Sequence, residues 1–289
     1  MSGIVMYGSP VAKRCLAKAE AQAVEFEYKA KRKPKLAVVV IGNNEASKIY
    51  VRNKEKACNS IGIDCLICNY GVDHTQKQLE EQVVELNNDE SVDGIIIQLP
   101  IPSFYDANRL IGMVSPQKDV DGLTLYNQGL TMAGRNDGLK PCTPLGIMEM
   151  LFDYGIALDG KHVVVIGRST LVGRPIASML TAANATVTLC HSHTPDLDKY
   201  TLDADIIISA VGKPYFITKS MIKPGATVID VGINRLDNGR IVGDCMDDIS
   251  EVAGYYTPVP GGVGKMTVAM LMSNTMKAAN DRYYKRTAK

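Results

Sequence analysis

The sequence lacks a charge of one sign: 32 lysines and arginines stand against 31 aspartates and glutamates, a formal balance of +1. Nucleic acids and anionic membranes are gathered by one-signed fields, so neither is expected as a partner. Long apolar runs are lacking as well. Stretches such as Leu36 to Ile41 fall far short of the roughly 18 residues that cross a bilayer. Met1 to Pro10 shows no basic n-region, long apolar stretch or small-residue cleavage site, so no secretory signal is expected and the expected location is cytoplasmic. Seven cysteines are an odd number for a disulfide framework and fit reduced thiols. Internal repeats and low-complexity segments are absent from the sequence too.

What is present is ordinary globular composition, 46% hydrophobic and 22% charged over 289 residues. A chain of this length buries about three quarters of its unfolded surface and divides into roughly two domains. Residues 11 to 35 carry Val11, Cys15, Leu16, Ala19 and Ala23 at helical spacing, with Pro34 as the expected stop. Leu36 to Ile41 then reads as a strand buried on both faces, Ser47 to Ser60 as a helix, Asp64 to Tyr70 as a strand, Gln76 to Leu86 as a helix and Gly94 to Leu99 as a strand. This alternation predicts a parallel sheet covered by crossover helices. Gly138 to Pro144 marks the join and Leu145 to Tyr154 a helix. A second α/β series follows, with strands at His162 to Ile166, Thr186 to Cys190, Asp205 to Ala210 and Thr227 to Val231, then a long helix over Met266 to Tyr284. The expected fold is α/β, with two α/β domains whose parallel sheets flank a cleft. Residues 1–140 form the first, with the C-terminal helix, 265–289, packing back on it. Residues 141–264 form a Rossmann-like second domain.

The run Val163 to Pro175 passes from strand through a glycine turn into a helix start, the architecture that points backbone N–H groups and a partial positive charge at a pyrophosphate. Its spacing is Gly167-x5-Gly173 rather than Gly-x-Gly-x-x-Gly, with Ser169 in the middle glycine's place. A plain strand-to-helix turn is the alternative reading. At the end of the next strand, where an NAD site places Asp or Glu, the sequence has Cys190-His191-Ser192-His193. Arg168 and Ser192 suit a 2′-phosphate there, which favours NADP over NAD unless Arg168 is merely solvated.

Three apparent motifs are set aside. Gly261 to Thr267 imitates a P-loop, but Val259 stands where the first Gly belongs and Met266 follows Lys265. Cys65 and Cys68 are three apart on a strand and so point to opposite faces, which favours packing over zinc. His191 and His193 share a face but have no third ligand in view. No metal is assigned.

Tyr50 and Lys54 are one helical turn apart and project together, either as a ring and amine facing a flat ligand or as a surface tyrosine covering a lysine stem. Gln98 closes an apolar strand at the carboxyl end where open α/β sheets keep ligands, or is an ordinary strand-ending amide. Lys118-Asp119-Val120-Asp121-Gly122 alone is a turn. Thr257 to Gly264, crowded with Pro and Gly, is either a ligand-contacting loop or a rigid connector.

In this order, Tyr50-Val51-x-x-Lys54, Gln98-Leu99-Pro100, Lys118 to Gly122, Pro141-Cys142-Thr143-Pro144, Gly167-Arg168-Ser169 with Val172-Gly173-x-Pro175, and Thr257 to Gly264 resemble the bifunctional methylenetetrahydrofolate dehydrogenase/cyclohydrolase family over nearly the whole chain. Lys265 departs from the Pro that similar members carry there. The resemblance implies NADP-dependent oxidation of 5,10-methylenetetrahydrofolate to the methenyl cation, then hydrolysis to 10-formyltetrahydrofolate. It implies stacking of Tyr50 on the aminobenzoyl group, Lys54 as the central catalytic group, Gln98 orienting it and Asp121 gripping the pterin. Leu99, Pro100, Pro258, Gly261 and Gly262 join these as substrate-binding residues. Thr143, Gly167, Arg168, Ser169, Gly173, Ser192, Gly212, Gly232 and Ile233 are the implied NADP contacts, and the implied assembly is a homodimer through the nucleotide-binding domain. A free lysine, with pKa about 10.4, is a poor base near neutrality, but burial and a cationic substrate can lower it by about 3 units. The rival readings are a shikimate-type NADP dehydrogenase, a monofunctional folate dehydrogenase and a nucleotide-sensing protein without turnover.

Overall fold

The structure, a computed structural model, describes residues 3–287. In chain order its elements are β1 (Ile4–Val5), α1 (Gly8–Ala30), β2 (Lys35–Ile41), α2 (Glu45–Ser60), β3 (Asp64–Tyr70), α3 (Gln76–Asn88), β4 (Gly94–Ile97), α4 (Ala107–Met113), α5 (Leu125–Met132) and α6 (Cys142–Asp153). Next come β5 (His162–Ile166), α7 (Gly173–Ala182), β6 (Thr186–Cys190), α8 (Asp198–Thr201), β7 (Ile206–Ser209), β8 (Thr227–Asp230), β9 (Asn234–Arg235), β10 (Ile241–Val242), β11 (Tyr255–Tyr256) and α9 (Met266–Thr287). Among the described residues, no helix is long and apolar enough to cross a membrane.

The elements divide into two units. The first comprises Arg14–Thr131, Arg135–Cys142 and Val268–Lys289. Its parallel sheet has the order β3-β2-β4, and a bridge from Ile95 to Asp119 extends it by one short segment. The middle strand is buried along almost its whole length, as its run of Val predicts. On one face Ala37, Val39 and Ile41 pack with Leu79, Val83 and Leu86 of α3 and Leu110 of α4. α9 reaches Cys58 of α2, with 3.6 Å between the Cys58 and Met272 sulfurs, and its Tyr283 meets Phe26 of α1 edge to face at 5.9 Å.

The second unit comprises Met1–Lys13, Met132–Gly134 and Thr143–Thr267. Its six strands are all parallel in the order β1-β11-β8-β7-β5-β6, and β9 and β10 form a separate antiparallel pair. Residues 3–13 thus belong here and not with the first domain, where they were expected. The cause is pairing: Ile4 lies beside Tyr255 and Val5 beside Tyr256, and the Gly8 amide donates to the Gly261 carbonyl at 2.9 Å. These two-residue strands are too short to show a period of two.

Several element ends shift by a residue or two from expectation, and two of the differences have a plain local cause. α1 ends at Ala30, just before Lys31, which takes a left-handed φ of +57°, ahead of Pro34. α6 begins at Cys142 because Pro144 is tolerated in a first helical turn, where its missing N–H costs nothing.

A buried ionic cluster ties the first unit together. Asp93, fully buried, accepts two bonds from the Arg32 guanidinium at 2.7 and 2.8 Å, one from Arg282 at 3.0 Å and one from the Lys35 amide at 3.1 Å. One carboxylate thereby joins the segment after α1, the start of β4 and the end of α9. Removing one partner of a buried ion pair strands the other charges, at a cost of about 3–5 kcal/mol. Asp93→Ala is therefore expected to lose about 3 kcal/mol or more in urea unfolding, whereas Lys277→Ala, which breaks the surface pair with Asp281, loses under about 1 kcal/mol. Equal small losses would contradict this role for Asp93.

Candidate active site

In the first unit, β2 is flanked by β3 and β4, so its carboxyl end is a topological switch point, where open α/β sheets hold ligands. The helix leaving it, α2, is capped by Asn44, whose side chain accepts from the Ser47 amide. Along one face of α2, Val51 and Cys58 are buried. Lys54 lies between them at helical spacing and is carried partly inward, while Tyr50, one turn earlier, keeps half its surface exposed.

Lys54 Nζ donates to Gln98 Oε1 at 2.7 Å. Gln98 stands just past β4 with its own amide N–H committed to the Leu99 carbonyl, so its oxygen is left to face the amine. The Leu99–Pro100 peptide that follows is cis. Burial lowers the Lys54 pKa below the ordinary lysine value, and the Asp121 carboxylate opposes that shift. Asp121 is enclosed by protein but keeps some open surface. Its pKa is raised, mainly by burial, with Lys54 pulling it back down and Asp119 pushing it further up. Lys54, Gln98 and Asp121 are thus brought together, with Tyr50 at the rim.

The segment around Asp121 is more than a turn. Lys118 reaches back to cap α3, donating to the Leu86 and Asp89 carbonyls at 2.9 and 2.7 Å. Asp119 accepts from the Leu123 and Thr124 amides and from the Asn127 side chain. Both charges are consumed in fixing the backbone, which leaves Asp121 as the carboxylate presented to Lys54. Gly122 has φ +69°, and a Cβ there would fall 2.5 Å from the Lys140 carbonyl carbon, so no other residue fits.

Two residues that sequence reasoning missed belong to this site. Ser47 is 3% exposed, and its hydroxyl oxygen has no hydrogen-bond partner. It lies three residues before Tyr50 and seven before Lys54, a spacing that puts it on their face of α2 and was readable in advance. Cys142, buried beside Asp121, has its thiol pushed well above the usual range by burial and by that carboxylate. Asn274 holds this corner by donating to the Val120 and Lys140 carbonyls, both at 2.8 Å.

In the second unit, β5 is flanked by β6 and β7, and its carboxyl end enters the glycine turn. Gly167 has φ +117°, and a Cβ on Gly173 would lie 1.9 Å from the Gly167 carbonyl oxygen. The two glycines therefore pack directly on each other and draw the start of α7 against the strand end. The Ser169 hydroxyl accepts from the Val172 and Gly173 amides at 3.2 and 3.4 Å, so it caps the first turn. Ile166 pairs with Cys190; Arg168 and Ser192, each two residues further on and both exposed, stand on neighbouring strand ends. The His191 ring nitrogen Nδ1 accepts from the His193 amide at 3.2 Å, which commits that ring to the turn. Thr143 and Thr267 share a hydroxyl hydrogen bond of 3.1 Å. Gly212 and Gly232 follow β7 and β8, and Ile233 is exposed beside Gly232.

Pro258, Gly261 and Gly262 lie after β11 in this unit, with a cis Val259–Pro260 peptide between them. A Cβ on Gly8 would lie 2.2 Å from the Gly262 carbonyl oxygen, so the start of α1 fixes this loop. Lys265 is exposed and bonds through its amide to the Gly262 carbonyl. The donors around Gly167 suit the phosphates of a dinucleotide, since a helix N-terminus and a close glycine turn are what a pyrophosphate needs.

Comparison with known proteins agrees with this arrangement. Residues 6–121 match the model of the tetrahydrofolate dehydrogenase/cyclohydrolase catalytic domain and residues 141–283 that of the NAD(P)-binding domain of the same family. The bifunctional protein FolD of Paracidovorax citrulli is 52% identical over 247 residues, covering 85% of this chain and 87% of that protein. The crystal structure of the bifunctional FolD of Campylobacter jejuni superposes with a TM-score of 0.95 at 42% identity, covering 97% of this chain and all of the other. The Trypanosoma brucei enzyme, solved with NADP and an inhibitor, has a TM-score of 0.92 at 35% identity, covering 98% and 99% of the two chains. A shikimate 5-dehydrogenase from Thermus thermophilus is 16% identical with a TM-score of 0.50, a likeness of fold alone. With both family models and the full-length relatives in agreement, the chain belongs to the tetrahydrofolate dehydrogenase/cyclohydrolase family.

Proposed function

We propose that this chain oxidises 5,10-methylenetetrahydrofolate with NADP and then hydrolyses the resulting 5,10-methenyltetrahydrofolate to 10-formyltetrahydrofolate, with Lys54 as the group on which hydrolysis depends. The observation that carries the reading is the partly buried amine, 2.7 Å from an amide oxygen and facing a carboxylate at a strand switch point.

NADP supplies the hydride acceptor, and the oxidation needs alignment more than acid or base. Tyr50 offers an exposed ring for the aminobenzoyl group to stack on. Asp121 accepts from the pterin's adjacent ring N–H and amino donors, a pairing a carboxylate can make in two places. Pro258, Gly261 and Gly262 are the proposed further substrate contacts, with Leu99 and Pro100. Hydrolysis adds water to the cationic methenyl carbon and releases one proton, which a neutral Lys54 accepts. An amide at position 98 suits this step. Its oxygen accepts from the amine in either protonation state, whereas a carboxylate there would lock it as ammonium. The bound cation disfavours ammonium further.

On the nucleotide side, Arg168 and Ser192 hold the 2′-phosphate, and the turn from Gly167 to Gly173 meets the pyrophosphate. We further propose a cytoplasmic homodimer joined through the second unit. Its sheet ends in the exposed edge strand β6. Beside that strand Met132, Ala177, Val187 and Leu189, with Ser178 and Thr181, line an open groove of about 440 Å³ of mixed polarity, and an uncovered edge strand of this kind invites pairing.

Lys54→Met is expected to abolish hydrolysis of methenyltetrahydrofolate while NADP binding survives; wild-type hydrolytic turnover in the variant would refute the assignment. The amine itself should titrate below an ordinary lysine, and because Asp121 favours its charged form, Asp121→Asn should lower that pKa further. Acylation of Lys54 by an activated ester, followed by mass spectrometry against pH, should therefore begin at lower pH in the variant, and a shift to higher pH would contradict the electrostatics. Arg168→Ala is expected to weaken NADP at least tenfold more than NAD, in line with the loss of a charge-assisted contact worth about 1.5–3 kcal/mol. Equal losses for both dinucleotides would remove Arg168 from 2′-phosphate recognition.

A further inference from the structure

Beyond the residues that touch folate or cofactor, we infer that Asp244 is a positioning residue for the nicotinamide half of the dinucleotide, acting by holding two loops at the carboxyl ends of β7 and β8. The inference rests on the NADP reading above.

Asp244 is fully buried and follows the β9–β10 pair. Its Oδ2 accepts from the Ser209 hydroxyl at 3.2 Å and from the Val211 and Gly212 amides at 2.8 and 3.3 Å. Its Oδ1 accepts from the Lys213 amide at 3.0 Å and the Asn234 side chain at 3.0 Å. Five donors from two loops converge on one carboxylate, more than a neutral side chain of this size can satisfy. The second loop closes on it sterically, since a Cβ on Gly232 would lie 2.2 Å from Asp244 Oδ1. Asp230 locks the other side by accepting from the Gly232, Asp244 and Cys245 amides at 2.9, 3.0 and 2.8 Å. Residues 209–213 and 234 are thus tied together through this one side chain, whose own backbone Asp230 fixes.

Those loops lie where the nicotinamide must go. The glycine turn after β5 takes the pyrophosphate, and the end of β6 takes the adenosine ribose. β7 and β8 lie on the opposite side of β5 from β6, so a dinucleotide laid across the carboxyl edge has only their ends left for its second half. The surface there suits a flat ring: Ile233 is 56% exposed, and a Cβ on Gly212 would meet open space.

Asp244→Asn replaces one acceptor oxygen with an N–H donor, so at least two of the five donors face a donor in turn. Binding of NADP and of adenosine 2′,5′-bisphosphate, which has the adenosine and its phosphates but no nicotinamide, separates the possibilities by calorimetry on the full-length protein. The expected result is a Kd for NADP raised at least tenfold and a Kd for the bisphosphate changed less than twofold. Asn234→Ala, which removes a single donor, should show the same selectivity at about threefold, and it decides the matter if Asp244→Asn does not fold. Equal weakening of both ligands would make Asp244 a general support of the unit and overturn the proposal, as would unchanged NADP binding. Failure of the wild-type protein to bind NADP would instead overturn the underlying cofactor reading.

Discussion

A lysine amine drawn partly out of water and held by an amide oxygen is the constraint around which the first unit is arranged. Burial makes its charged form costly, and the usual remedy, a carboxylate in direct contact, would fix the proton in place. The protein instead sets Gln98 at 2.7 Å and lets Asp121 act through its field. The result is an amine of adjustable charge, which a reaction that generates a cation can use. Neighbouring elements serve that compromise. Val51 and Cys58 anchor the helix that carries the amine, and the cluster of Lys118, Asp119 and Asn274 delivers Asp121 to its place.

The two units solve their placement problems alike. Each has a parallel sheet whose chain order reverses about a central strand, and each presents its candidate site residues at the carboxyl ends beside that strand. Each also spends a buried aspartate on backbone amides. Asp119 does so in one unit and Asp244 in the other. An acid at a strand end is therefore no sign of acid chemistry in this protein; what distinguishes Asp121 is that the hydrogen bonds fixing its loop are made by its neighbours.

Much of this was legible in the sequence. The Val-rich strands β2 and β5, the helix carrying Tyr50 and Lys54, and the glycine turn at Gly167 follow from periodicity and turn chemistry, because each is a local pattern. The roles proposed for Gln98 and Asp121 rest on family likeness, since nothing local tells a working amide from one that merely ends a strand. Other features escaped. Ser47 was passed over, although its spacing from Tyr50 and Lys54 puts it on their face of α2. β1 and β11 have two residues each, and Asp93, Asp230 and Asp244 take their meaning from partners far away in the chain. A carboxylate that binds amides from another loop leaves no periodic trace.

The placement of residues 3–13 bears on how the molecule is made. β1 completes a sheet whose other strands begin at residue 162, and α9, after residue 265, completes a unit that begins near residue 14. Neither unit is a continuous stretch, so during synthesis on the ribosome neither can close until almost the whole polypeptide has emerged. Long-range pairing of this kind is slow and leaves sheet edges bare in the meantime, so each sheet stays open until its last segment arrives.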